Sequence, residues 1–256
     1  MIFNNLIIAS VIGVAVASSR ASAQECTSVE SITCSQVSTP PNLDGKYTDD
    51  WTSVDITETP LTGAMNSIPY PHGNAKIGCV HDTNKVYFLF EIPGLYRFDT
   101  EDNHMCAAVS SMFKMGEDAK LFNMGGCPLA LTDCPADGDG AHSCDDYKVD
   151  IGGHWELKTT EQGVYFGTND GTGDDAVANK DDEYAVSPKC RMDDDDELAA
   201  NEWEGAWLYV NGTGSKEVGR YVFEMARSLK TKSEESDKQM EVGKAVEFGF
   251  AFWVSI

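Results

Sequence analysis

The sequence predicts an all-β fold: an antiparallel β-sandwich with long acidic loops, stapled by disulfides. Three observations predict it. Short runs rich in Val, Ile, Phe, Tyr and Trp recur along the chain. Helical periodicity is scarce, and Gly- and Asp-rich connections separate the runs. Eight cysteines supply the staples.

The first element reads as a secretory leader. Leu6 to Ala17 is apolar, and Ala21-Ser22-Ala23 is a small-x-small cleavage site before Gln24. Residues 1–23 are therefore expected to be a secretory signal peptide. Met1 to Asn5 lacks the usual Lys or Arg, which follows the run instead as Arg20. The run is too short for a spanning helix, and no later stretch is long and apolar enough. The expectation is a secreted, extracellular or cell-surface protein without a membrane span. Residues 24–40 form an N-terminal disulfide-containing segment, and residues 41–256 form the sandwich domain.

All eight cysteines (Cys26, Cys34, Cys79, Cys106, Cys127, Cys134, Cys144 and Cys190) follow the leader. An even count in an oxidising compartment favours disulfides. No CxxC pair suggests a thiolate metal site, and no CxxCH suggests covalent haem attachment. Connectivity cannot be read from spacing; Cys26 with Cys34 is a plausible local loop. Asn211-Gly212-Thr213 is an N-glycosylation sequon, expected on a surface loop.

The strands follow in order. Ala75 to Val80 and Lys85 to Ile92 flank the polar turn His81-Asp82-Thr83-Asn84 and read as a hairpin. Val86 to Phe90 is apolar on both faces, which suggests a strand covered on both sides. Gly163 to Gly167 is a short strand. Gly219 to Ala226 is another, and Ala245 to Ile256 is the last. Ser228 to Val242 holds the one stretch that suggests a helical turn.

Acidic connections lie between these runs: Thr132 to Asp146, Asn169 to Glu183, and Asp193 to Glu197. The formal charge is −23, which repels nucleic acid and anionic lipid and suits a soluble surface or a basic partner. Calcium is a weak expectation. Asp133 with Asp137-Gly138 starts an EF-hand pattern that fails at Pro135 and Cys144. Neither GxSxG nor HExxH occurs, so an enzyme is not expected. Glu224 and Asp150 are acids a glycosidase could use, but nothing in sequence fixes their separation.

Chemistry concentrates between Cys106 and Lys158. Met112, Met115 and Met124 punctuate the first part, and Val149 to Lys158 brings His154, Trp155 and Lys158 onto a strand-like stretch. A thioether on one face of haem iron and an imidazole or amine on the other suit electron transfer. Each Met could equally fill core space.

Several of these stretches, taken in order, resemble a known family. Leu43-Asp44-Gly45 with Asp49-Asp50-Trp51 resembles the "DG…W" opening of carbohydrate-binding family 9 and related DOMON-like sandwiches. Lys76 to Asp82 and Val86 to Phe90 are similar to the hairpin that follows it. Asp150 to Lys158 resembles the "D-[IL]-W-H-W-K" element of the haem-binding domain of ethylbenzene dehydrogenase and type II dimethyl sulfoxide reductase gamma subunits and cytochrome c-552-like proteins. Tyr221 to Leu229 resembles that domain's "W-x-V-E-x-x-R-x-L" strand, and Asp237 to Trp253 its closing strand. The resemblance runs from about Pro41 to Ile256.

The resemblance implies a sandwich holding one b-type haem and passing single electrons to or from a redox partner protein. Met124, followed by Gly125, matches the family's Met-Gly element and is the first axial candidate; Met115 is the reserve. His154 and Trp155 match the "HW" pair. Gly153 stands where the family has Trp, and Glu156 where it has Lys, so the second ligand stays open between His154 and Lys158. The metal-ligand expectation is thus Met124 with His154. The alternative is a haem-free carbohydrate-binding or matrix module, with Trp51, Trp155, Trp203 and Trp207 as sugar platforms.

Overall fold

The hairpin legible in the sequence is the centre of the molecule. In the computed structural model, Ala75–His81 and Lys85–Leu95 pair antiparallel, with Cys79 opposite Phe88 and Ile77 opposite Phe90. Asp82 makes the turn. Its carboxylate accepts the backbone N–H groups of Asn84 (2.6 Å) and Lys85 (2.7 Å) and the Tyr87 hydroxyl (2.9 Å). An aspartate that bonds its own backbone two residues on is a local turn-former. Burial alone would raise the Asp82 pKa, but these donors prevail and hold it below the usual carboxylate range.

The structure describes residues 6–12, 30–45, 49–61, 69–96, 107–115, 148–156, 181–186, 191–193, 203–210, 218–232, 234 and 237–253. Their strands are β1 (Leu6–Ile12), β2 (Glu30–Gln36), β3 (Ile56–Thr59), β4 (Ala75–His81), β5 (Lys85–Leu95), β6 (Ala108–Lys114), β7 (Lys148–Glu156), β8 (Asp181–Val186), β9 (Arg191–Asp193), β10 (Glu204–Val210), β11 (Val218–Ser228) and β12 (Ala245–Trp253). One 3-10 turn spans Asp49–Trp51. The described fold is all-β. Its strands run β10-β11-β5-β4-β2-β1-β12-β6-β7-β8-β9, with β3 beside β4. Two pairings are parallel, β1 with β12 and β2 with β4, against the wholly antiparallel expectation. The remaining described pairings are antiparallel.

Alternation sets the core. Val86, Phe88, Phe90 and Ile92 of β5, Tyr221, Phe223 and Met225 of β11, and Phe248, Phe250 and Phe252 of β12 belong to one buried cluster. Rings from the two arms of the sheet path meet there. Phe88 lies 5.8 Å from Phe248, and Phe90 lies 5.2 Å from Phe250, between centroids. Arg227 enters the same cluster edge, its guanidinium 5.5 Å from both the Phe113 and Trp203 ring centres.

The opposite face of β4, β5 and β11 is covered as well. Trp51, Val80, Tyr87, Leu89, Val222 and Ala226 form a second buried cluster, with Leu43, Val54 and Ile56 packed on it. This explains why β5 is apolar on both faces. Gly78 lets β3 approach closely: a Cβ there would stand 2.8 Å from Ile56 Cδ1.

Two expectations change. Cys34 is bonded to Cys79, 45 residues away, and not to Cys26. Spacing along the chain does not reveal that β2 and β4 lie side by side, which is what brings these thiols together. Ser228 to Val242 does not form the expected helical turn in its described part. Leu229 N–H donates to Asn84 O and Met240 N–H to Leu229 O, both at 2.7 Å, so the segment closes as a loop. Leu6–Ile12, within the run that reads as a leader, form β1, paired with both β12 and β2. Gly163 to Gly167, the Asn211 sequon, the Asp133 to Cys144 stretch and the other cysteines lie outside the described residues.

Candidate functional site

Glu224 is an acid in the middle of an apolar strand, and it is fully buried. A buried carboxylate needs donors, and the opening segment supplies them. Asp44 N–H and Gly45 N–H donate to Oε2 at 2.7 Å each, and Trp51 Nε1–H donates to Oε1 at 2.8 Å. Gly45 has φ of 72°, and a Cβ on it would lie 2.3 Å from the Trp207 carbonyl carbon. Only glycine fits that backbone approach. Asp50 Oδ2 ties the segment further by accepting Asn42 N–H at 3.2 Å. Burial pushes the Glu224 pKa up to about 7, against the lowering effect of the three donors.

The "DG…W" residues and the strand glutamate are thus one clamp, separated in sequence by about 180 residues. Its acid is used in holding the opening segment to β11, which argues against a glycosidase role for Glu224. The sequence signal was present: one glutamate amid apolar neighbours, with Asp-Gly and Trp upstream.

The strand carrying His154 and Trp155 lies beside β6. Val109 pairs with Trp155, Ser111 with Gly152 and Phe113 with Asp150. The register shifts between Val109 and Ser111, and the β7–β8 ladder shifts between Ile151 and His154. Gly152 and Gly153 lie at these shifts. Glycine within a strand commonly marks such a bulge, and bulges re-aim the residues that follow. His154 follows directly, with its backbone opposite Asp181.

Met115 is buried at the end of β6. Lys114 pairs with Val149, so Met115 and His154 stand at opposite ends of the β6–β7 ladder. At the usual strand rise they are roughly 15–20 Å apart along it. Met124 and Lys158 lie outside the described residues, as does the side chain of Trp155.

The aromatic platforms divide differently from expectation. Trp51, Trp203 and Trp207 are at most 2% exposed. They are core and clamp residues, which removes three of the four proposed sugar platforms. Among the described residues, no group of three or more His, Cys, Asp or Glu side chains is arranged to hold a metal ion. The described interior is closed by ring contacts and offers no slot for a porphyrin between β5 and β12. A thioether with an imidazole or amine is a donor set that suits haem. No helix among the described residues is long and apolar enough to cross a membrane.

No family model and no curated protein matches the chain.

Proposed function

We propose that the chain is a secreted b-type haem-binding β-sandwich that exchanges single electrons with a redox partner protein. One observation carries the reading most: Glu224 joins the residues that resemble the family's opening to those that resemble its Glu-x-x-Arg strand, by three hydrogen bonds. Residues that resemble a motif series only by chance have no reason to form one buried constellation. The bulged glycines before His154 add a second support.

In this reading Met124 is one axial ligand, and His154 or Lys158 is the other. Met115 remains the reserve, set back by its distance along the ladder from His154. Haem supplies the redox chemistry when bound. The protein would supply the two ligands.

The test is an absorbance spectrum after haem reconstitution. A Soret band is expected, shifted or lost in Met124→Ala and in either His154→Ala or Lys158→Ala. Absence of the band, or a band unchanged in all these variants, overturns the reading.

A further inference from the structure

β1 occupies a seam. On one side it runs parallel to β12, with Ile7 to Ile12 opposite Ala245 to Phe250. On the other it runs antiparallel to β2, with Leu6 to Ser10 opposite Cys34 to Glu30. β2 and β12 otherwise lack a common ladder, so removing β1 opens the sheet path at that point. The gap would be one strand wide, about twice the 4.8 Å spacing of neighbouring strands.

Three features hold the gap ready. β2 shares only two ladder positions with β4, Ser35 with Val80 and Gln36 with His81. The Cys34–Cys79 disulfide nevertheless ties β2 to β4 covalently. On the other side, β12 is held by β6 over six positions, from Phe248–Phe113 to Trp253–Ala108. Ile32 and Cys34 of β2 and Val246, Phe248 and Phe250 of β12 are core residues at both rims. An open edge of this length and apolarity invites another strand.

We infer that, once residues 1–23 are removed, the seam between β2 and β12 is a strand-acceptor site for an extended apolar segment of a basic partner protein. The inference rests on the reading of residues 1–23 as a removable leader. The present occupant defines the chemistry. Positions 6, 8, 10 and 12, which are Leu, Ile, Ser and Ile, stand level with core-facing residues of β2 or β12. A partner therefore brings apolar residues at alternate positions, and backbone hydrogen bonds supply the rest. Charge selects against a second copy: the full chain carries −23 and loss of Arg20 with the leader leaves −24, so like copies repel while a basic partner is drawn in. Glu247, level with position 9 and half-exposed, already pairs with Lys114 at 3.0 Å, and a basic residue of the inserted strand would share that carboxylate.

The experiment uses the secreted chain as purified, with its N-terminus read by mass spectrometry. The probe is a synthetic peptide of residues 4–13. A chain beginning at Gln24 is expected to bind one peptide and to gain hydrogen-exchange protection in 30–36 and 245–253. A peptide with Ile8→Pro and Val11→Pro should bind at least tenfold more weakly, since both lose ladder donors. A peptide with Ala9→Lys should bind a few-fold more tightly at low salt. A chain beginning at Gln24 that neither binds the peptide nor gains protection overturns the inference. So does a dimer that already protects 245–253, since a second copy would then be the occupant. A secreted chain that keeps residues 1–23 removes the leader reading and the acceptor site with it.

Discussion

The arm built on β4, β5, β11 and β10 and the arm built on β6 to β9 solve the same problem with different regularity. β11 follows β5 without interruption from Val218–Leu95 to Ser228–Lys85. β7 shifts register against both its neighbours within a few residues of Gly152 and Gly153. An unbroken ladder keeps every alternate side chain on one face, so the first arm can bury both faces, under the aromatic core and under Trp51. A bulged ladder gives up that order locally and gains freedom to aim a residue. The first arm holds the fold, and the second carries the residues with candidate chemistry.

The comparison can be broken most strongly at Phe88, which touches Phe90, Phe113, Trp203 and Phe248. Phe88→Ala should cost about 3–5 kcal/mol in chemical denaturation. A loss under about 1 kcal/mol would mean that the regular arm does not hold the fold. Next comes the disulfide. Chain-entropy reasoning for its 45-residue separation gives about 4 kcal/mol, and typical measured values are about 2–4 kcal/mol. The Cys34→Ser, Cys79→Ser pair should lose that much, and hydrogen exchange should quicken first in β2.

Glu224→Gln is the third test, with an expected loss of about 1–3 kcal/mol. The amide oxygen can accept two of the three donors, but its NH2 then faces the Trp51 N–H. The pH dependence separates this clamp from ordinary packing. Glu224 has its folded pKa raised to about 7 from 4.5, so its contribution is fully present below about 4.5 and is lost as pH rises through about 7. The stability gap between wild type and Glu224→Gln should therefore narrow from pH 5 to pH 8. A gap that widens over this range would show that the three donors outweigh burial.

The smallest effect is expected at the sheet surface. Lys76 reaches Glu91 at 3.0 Å, but Arg220 also reaches that carboxylate, at 3.1 Å. Lys76→Ala should cost under about 1 kcal/mol, and less in high salt.

The same contrast explains what could be read in advance. The hairpin and the strands at Gly219 and Ala245 were legible because long apolar runs met strong turn chemistry at Asp82 or ended in polar loops. β3 and β10 were missed: β3 is only four residues long, and Trp203 and Trp207 look equally suited to a surface platform. β6 was read for its methionines, because Ser110 and Ser111 interrupt its apolar pattern although both are buried. β1 is not legible as a strand because it lies within the apolar run that reads as a leader, and a short apolar run has no periodicity that separates the two. Glu224 reads in the sequence as an acid a glycosidase could use, and its partners are not legible, since they come from the far end of the chain. Cys34 and Cys79 pair through strand neighbourhood, which no cysteine spacing encodes.

Arg227 has a consequence for how the molecule comes apart. It belongs to β11, yet its charge rests between a ring of β6 and a ring at the entrance to β10, and its Nη2–H donates to Lys238 O at 3.0 Å. Separating the arms would take the Phe113 ring from that cation and open the buried site in which it also pairs with Asp237 at 4.0 Å, a cost that water repays only after full exposure. Heating should therefore give one transition in which tryptophan fluorescence and backbone dichroism change together, with no half-melted species in which one arm outlives the other.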